Sequence, residues 1–200
     1  MATLTHEDSQ MGTVIVLNGA SSAGKTSLLT AVQQSLHPPF LEAGLDKFLW
    51  MLPAQYRRAP LWDEVMGRGY EAGAVGHQLV KGMHQAIASL SKAGSNVIAD
   101  HVLIEPTWLT HCAEALAGLP TLFVGVVCPL AVLEQRERAR GDRTLGQAAR
   151  QHAVVHRGAR YDLVIDTSQM SPAEGAAVIA RHLEDCGPSY AFNTGRYSAA

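Results

Sequence analysis

The ten residues 18–27, NGASSAGKTS, restrict the fold of this chain more than any other feature. Gly19, Gly24, Lys25 and Thr26 fit the pattern G-x-x-x-x-G-K-[ST] at every fixed position. Glycines let the backbone curl so that successive N–H groups face one concavity, and a helix starting at the lysine adds its positive end. Such a loop works only between a buried strand and a helix. The flanks supply both: TVIVLN (residues 13–18) reads as a buried strand. From residue 25 to 36 the apolar positions Leu28, Leu29, Val32 and Leu36 recur at helical spacing. The loop therefore commits the chain to a strand–loop–helix unit that holds a nucleoside triphosphate. Gly19, Ala20, Ser21, Ser22, Ala23, Gly24, Lys25, Thr26 and Ser27 are its expected contacts. Lys25 is suited to the β- and γ-phosphates, and the Thr26 hydroxyl to Mg²⁺ between them.

The rest of the chain repeats that alternation. NVIAD (96–100), TLFVGVVC (121–128) and DLVID (162–166) are buried strand candidates, and residues 40–45 form a weaker one that ends at Asp46. Helical patterns fill 73–93, 106–117, 129–140, 146–157 and 171–184, with Pro106 and Pro129 suited to first turns. Alternating strands and helices imply right-handed crossovers and a parallel sheet covered on both faces. The expected fold is α/β, a three-layer α/β/α domain around a central five-stranded parallel sheet. One domain is expected over residues 13–186, with an irregular insertion at about 53–72 and a short lid at about 136–147. Residues 1–12 and 187–200 read as polar terminal extensions, the second of them disordered.

Composition narrows the partners. A net charge of -2 gives no general attraction to nucleic acid or anionic lipid, so neither is an expected partner. Seven of the twelve arginines lie between Arg136 and Arg160, which is where an anion-binding patch should be sought. Cys112, Cys128 and Cys186 form no C-x-x-C pair. No apolar run approaches the ~20 residues of a membrane-spanning helix, and the N-terminus carries no secretory signal. A cytoplasmic protein with reduced thiols is the expectation.

Outside the loop, Asp100 closes its strand at the carboxyl edge where open α/β sheets place ligands, and a carboxylate there can hold Mg²⁺ with Thr26. The alternative is an Asp that caps its own turn. His101 follows; Mg²⁺ prefers oxygen, so this ring reads as pocket-lining and substrate-facing, or as hydrogen-bonded, rather than as a ligand. Asp46 lies on the same edge, where a carboxylate can orient an acceptor hydroxyl and take its proton, or cap a short helix beginning at Lys47. Arg136, Arg140 and Arg143 share one helical face and suit a catalytic clamp on phosphates when a lid closes. Their alternative is a solvated helix in which Glu134, Glu137 and Asp142 pair with them. Trp50 and Trp62, with Tyr56, Arg57 and Arg58, either wall a pocket for a flat acceptor or cap the core.

Taken in order, VIVLNGASSAGKTS, GLD ending at Asp46, AGSNVIAD, GVVC, RERARGDR and YDLVIDTS resemble the chloramphenicol phosphotransferase family over about residues 13–184. These are ATP-dependent antibiotic-resistance kinases of the P-loop nucleoside-kinase-like type. The resemblance implies ATP and Mg²⁺ at the phosphate loop, and Asp46 as the base that deprotonates the primary 3′-hydroxyl of chloramphenicol. It further implies Arg136, Arg140 and Arg143 as lid arginines, with Asp166 and Thr167 near the adenine. The family pattern carries a second Asp after the position of Asp100, where this chain has His101, and the insertion AQYRRAPLWDEVMGRGY is unlike the family's loop; both bear on the acceptor.

The function expected from the sequence is thus an ATP-dependent O-phosphotransferase acting on a small hydroxylated molecule, chloramphenicol first. The alternatives are a metabolic kinase with a sugar- or acid-like acceptor and, from another class, a nucleotide-binding module without catalysis. A nucleotide kinase is disfavoured by the short lid, and a regulatory GTPase by the lack of an N-K-x-D motif.

Overall fold

The run Val14-Ile-Val-Leu-Asn18 forms the central strand β1 (Val14–Asn18), buried along its whole length in the computed structural model, which describes residues 10–58, 60–66, 71–140, 145–188 and 192. Because β1 has neighbours on both sides and helices on both faces, it reads as an unbroken apolar run rather than an alternating one. After it come α1 (Lys25–Ser35), β2 (Phe40–Glu42), α2 (Leu45–Met51), α3 (Ala74–Lys92), β3 (Asn96–His101) and α4 (Pro106–Leu116). Then follow β4 (Thr121–Val127), α5 (Leu130–Arg140), α6 (Gln147–His152), β5 (Leu163–Asp166) and α7 (Pro172–Cys186).

All five strands are parallel, in the order β2-β3-β1-β4-β5. The chain moves outward from β1 through α1 to β2, returns by β3, and crosses β1 to reach β4. The carboxyl end of β1 is therefore the point where strand order reverses, and there the phosphate loop emerges. Helices α1 and α7 pack together, as do α3 and α4, giving the three-layer α/β/α arrangement. Ile15, Leu17, Ile98, Leu122 and Phe123 are fully buried between the layers. α7 starts with a reciprocal cap: Ser171 accepts from the Glu174 N–H while the Glu174 carboxylate accepts from the Ser171 N–H. No helix among the described residues is long and apolar enough to cross a membrane.

Three elements differ from expectation. The strand at 40–45 stops at Glu42. Gly44 then caps α2, which buries Leu45 and Leu49, four residues apart, against the sheet. The helix expected over 146–157 ends at His152 and continues as turns. Past Cys186, the stretch read as a polar extension returns to the core at Phe192, whose ring lies 5.0 Å from that of Phe123 and is 5% exposed. The insertion contains two 3-10 turns, Ala54–Arg57 and Leu61–Glu64.

One buried polar residue ties these parts together. Asn18, fully buried, accepts at Oδ1 from the Leu103 N–H (2.8 Å) and donates from Nδ2 to the Val155 carbonyl (2.8 Å) and the Tyr161 hydroxyl (2.7 Å). The Leu103 N–H fixes which end of the amide is oxygen, so the Tyr161 hydroxyl accepts from Asn18 Nδ2 and also pairs with His156 Nδ1, 2.7 Å away. Asn18→Ala would leave a buried N–H and a buried carbonyl unpaired. The expected loss is about 2–3 kcal/mol, read as a melting temperature lower by roughly 5–10 °C. A melting temperature unchanged in Asn18→Ala would contradict this role.

Candidate functional site

The phosphate loop closes on itself through its lysine. Lys25 Nζ, 8% exposed, donates to the carbonyls of Gly19 (2.9 Å) and Ala20 (2.8 Å), so these two residues support the lysine from behind. Gly24 takes φ 84°, which glycine alone adopts without steric cost, and caps α1. At the turn before it, Ser22 takes φ 63°. The Ser21 N–H donates to Gln151 Oε1 on α6 at 2.7 Å, which fastens the second half of the chain onto the loop.

Thr26 and Asp100 come together as expected: Thr26 Oγ1 donates to Asp100 Oδ2 at 3.2 Å. The side chain of Asp100 points to the α1 face of the sheet and abuts Gly44, where an added methyl group would collide with Oδ1. Burial raises the Asp100 pKa from its ordinary value, opposed by the Lys25 ammonium and reinforced by the Asp46 carboxylate. Two hard oxygen donors beside the phosphate loop fit Mg²⁺.

A cleft opens over this pair. Lys25, Thr26 and Asp100 form its floor, and Leu45, Asp46 and Leu49 of α2 one wall. Trp62, Met66 and Val102 supply apolar surface, and Gln147 and Gln151 of α6 face them. Asp46 sits in the first turn of α2, favoured there by the helix dipole, while Gly44 occupies the cap position. The carboxylate is therefore the second residue of the helix rather than its cap, and it lines the cleft.

A second cavity continues from the first across Ser22, Gly24 and Ser27, which line both. Its walls include Leu28, Arg136, Ala139, Ile165, Thr167, Met170 and Pro172. Arg136 donates from Nη1 to Thr167 Oγ1 (3.0 Å) and from Nη2 to the Thr167 carbonyl (2.8 Å), and the Thr167 hydroxyl donates to the Ala23 carbonyl (2.8 Å). Arg136, read as part of a clamp on phosphates, is thus engaged with Thr167 in the wall of the second cavity. Arg140 ends α5, and Arg143 lies outside the described residues. Asp166 is absent from the cavity wall, because its Oδ1 accepts from the N–H and hydroxyl of Ser168 (2.8 and 2.7 Å) and so shapes the turn that presents Thr167.

Two substrate-facing expectations fail. Trp50 is 71% exposed and stacks outward under the Arg57 guanidinium, 4.4 Å from the ring centroid. His101 faces the opposite side of the sheet from Asp100, since successive strand residues alternate. Its ring is 1% exposed beneath α3 and α4. The Val102 N–H donates to His101 Nδ1 (2.8 Å), which leaves the proton on Nε2, facing His84 Nε2 at 2.9 Å. His84 then donates from Nδ1 to His111 Nδ1 at 2.9 Å. Burial above all, with His101 and His111 nearby, pushes the His84 pKa down to about 2; burial and then Lys25 push that of His101 down to about 3.

Several working residues lacked a sequence signal. Gln147 and Gln151 carry no motif. Glu137, offered as a partner for arginines, is 2% exposed and accepts from the N–H groups of Gly146 and Ala148, both at 2.8 Å, which fixes the start of α6. The four-residue spacing of Gln147 and Gln151 was the available clue that they share a face.

Residues 12–184 match the family model described as chloramphenicol phosphotransferase-like protein. A Mycobacterium tuberculosis protein provisionally named an O-phosphotransferase is 34% identical over 195 residues, covering 91% of this chain and 87% of the relative. Among solved structures, an APS kinase of Mycobacterium tuberculosis in complex with AMPPNP and APS is similar at a TM-score of 0.61 and 18% identity, covering 88% of this chain and 99% of that one. Shikimate kinase from Acinetobacter baumannii in complex with shikimate is similar at a TM-score of 0.60 and 17% identity, covering 88% and 94%. The chain belongs to the chloramphenicol phosphotransferase-like family, and its fold is that of the P-loop kinases.

The histidine row has a consequence for stability. His84 and His101 titrate in the folded protein far below the ordinary value of 6.5, so between those values the unfolded chain binds more protons. Their contribution is complete above pH 6.5 and is lost as pH falls toward the folded values. Between about pH 7.5 and 5.5 we expect roughly 1 kcal/mol lost for each histidine. Denaturant melts across that window should show this slope, shallower in His84→Gln; an equal slope in the variant would contradict the assignment.

Proposed function

We propose that this member of the chloramphenicol phosphotransferase-like family transfers the γ-phosphoryl group of ATP to a hydroxyl of a small molecule, with the primary 3′-hydroxyl of chloramphenicol as the first acceptor. The observation that carries this reading is the cleft itself. One carboxylate, Asp46, lines it together with Lys25, Thr26 and Asp100, and the same groove runs over the phosphate loop into the cavity walled by Thr167 and Arg136.

In this mechanism the nucleoside occupies the second cavity and the phosphates cross the loop. Asp46 orients the acceptor hydroxyl and takes its proton as the oxygen bonds to the γ-phosphorus. The bond from that phosphorus to ADP breaks, with the electron pair leaving on ADP. Lys25 neutralises charge on the transferring group, releasing the loop carbonyls it holds. Thr26 and Asp100 would hold Mg²⁺, which supplies further charge neutralisation between the phosphates when bound.

The acceptor class follows from the walls. Leu45, Leu49, Trp62, Met66 and Val102 offer apolar contact, and Gln147 and Gln151 offer amides. Among the described residues lining this cleft, Lys25 is the only cation. These surfaces suit an acceptor with an apolar ring and a pendant hydroxyl over the sugar- or acid-like acceptor of a metabolic kinase, which asks for more polar or cationic partners.

Asp46→Asn keeps the shape of the site and removes the base. We expect Mg·ATP to bind with little change while turnover with chloramphenicol falls by roughly 10²-fold or more. Near-normal turnover in this variant would overturn Asp46 as the base.

A further inference from the structure

One residue of the phosphate loop carries two penalties that glycine would remove. Ser22, with φ 63°, is the one non-glycine residue at positive φ among those described. Its side chain crowds the backbone in that left-handed region, where glycine meets no Cβ conflict. Its Oγ is also buried, with no hydrogen-bond partner among the described residues. Backbone strain and an orphaned hydroxyl at one position mark a residue held there for function rather than for stability.

Its location indicates which function. Ser22 lines both the nucleoside cavity and the acceptor cleft, so it stands at the seam that a triphosphate must cross. The neighbouring N–H, that of Ser21, is committed to Gln151 Oε1 at 2.7 Å. The Ser22 hydroxyl, buried at this turn without a partner among the described residues, supplies a further donor beside the seam.

We propose that the Ser22 hydroxyl donates a hydrogen bond to the oxygen linking the β- and γ-phosphates, and so stabilises the leaving group of the transfer. The inference rests on the phosphotransferase reading above. In that step the acceptor oxygen bonds to the γ-phosphorus and its proton goes to Asp46. The bond from the γ-phosphorus to the linking oxygen breaks, and its electron pair stays on that oxygen, which becomes a terminal oxygen of ADP. Negative charge grows there during the step. A donor aimed at it binds the transition state more tightly than the ground state, which is what accelerates a reaction. The left-handed backbone at φ 63° fixes where the residue stands in the loop beforehand.

The test needs no acceptor. Mg·ADP binding is measured calorimetrically with and without aluminium fluoride, a mimic of the transferring phosphoryl group, for the wild type, Ser22→Gly and Ser22→Ala. The ratio of the two affinities cancels any general loosening of the loop. Aluminium fluoride should tighten binding to the wild type at least roughly tenfold more than to either variant, the scale of one hydrogen bond to a charged group. Equal tightening in all three proteins overturns the role of the hydroxyl. A wild type in which aluminium fluoride brings no tightening overturns the phosphotransferase reading itself. Ser22→Gly should melt no lower than the wild type; a clear drop would show a structural role for the hydroxyl and overturn the inference.

Discussion

The three hydrogen bonds of Asn18 are the constraint on which the rest of the site depends. They fix the last residue of β1 to the loop after β3, at the Leu103 N–H, and to the chain after α6, at the Val155 carbonyl and the Tyr161 hydroxyl. Gly19 follows immediately, so the phosphate loop starts from a residue that cannot shift without stranding buried partners. The same economy holds α6 in place. Glu137 caps its start, Gln151 reaches the Ser21 N–H, and the turns beyond it end at Asn18. A helix of six residues has little stability of its own, and here three long-range contacts decide where it lies.

Charge is divided along the groove rather than pooled. Lys25 and the positive end of α1 lie at the phosphate loop, while two carboxylates, Asp46 and Asp100, stand in the cleft beside it. They are not equivalent. Asp100 is half-buried against Gly44 and bonded by Thr26, with a pKa raised by desolvation, a setting in which a cation would offset its charge. Asp46 is exposed on the first turn of α2, open to a small molecule entering the cleft. Arg136 serves the far end, where its guanidinium joins Thr167 to the phosphate loop.

The sheet and the phosphate loop were legible in the sequence because both depend on local signals: apolar runs bounded by polar residues, and glycines at a fixed spacing. The pairing of Thr26 with Asp100 was legible too, since the carboxyl edge of a parallel sheet gathers such residues in any order of strands. What escaped depends on contacts distant in sequence. The stretch 40–45 reads as a strand until Asp100 packs on Gly44 and the chain turns into α2. His101 reads from the sequence as either pocket-lining or hydrogen-bonded; it is the second, because one residue along a strand from Asp100 reverses direction and His84 on α3 supplies its partner. Arg136 shared a helical face with Arg140 and Arg143, but Thr167, 31 positions away, decides what its guanidinium does. Glu137 points inward for the same kind of reason, its partners lying in α6.

The central claim is that a hydroxyl held by Asp46 receives the γ-phosphoryl group of ATP. The most direct measurement is ADP release from Mg·ATP with chloramphenicol, without acceptor, and with an analogue whose primary hydroxyl is blocked. The account predicts release that depends on chloramphenicol and is lost with the blocked analogue. Release at the same rate in all three would contradict it.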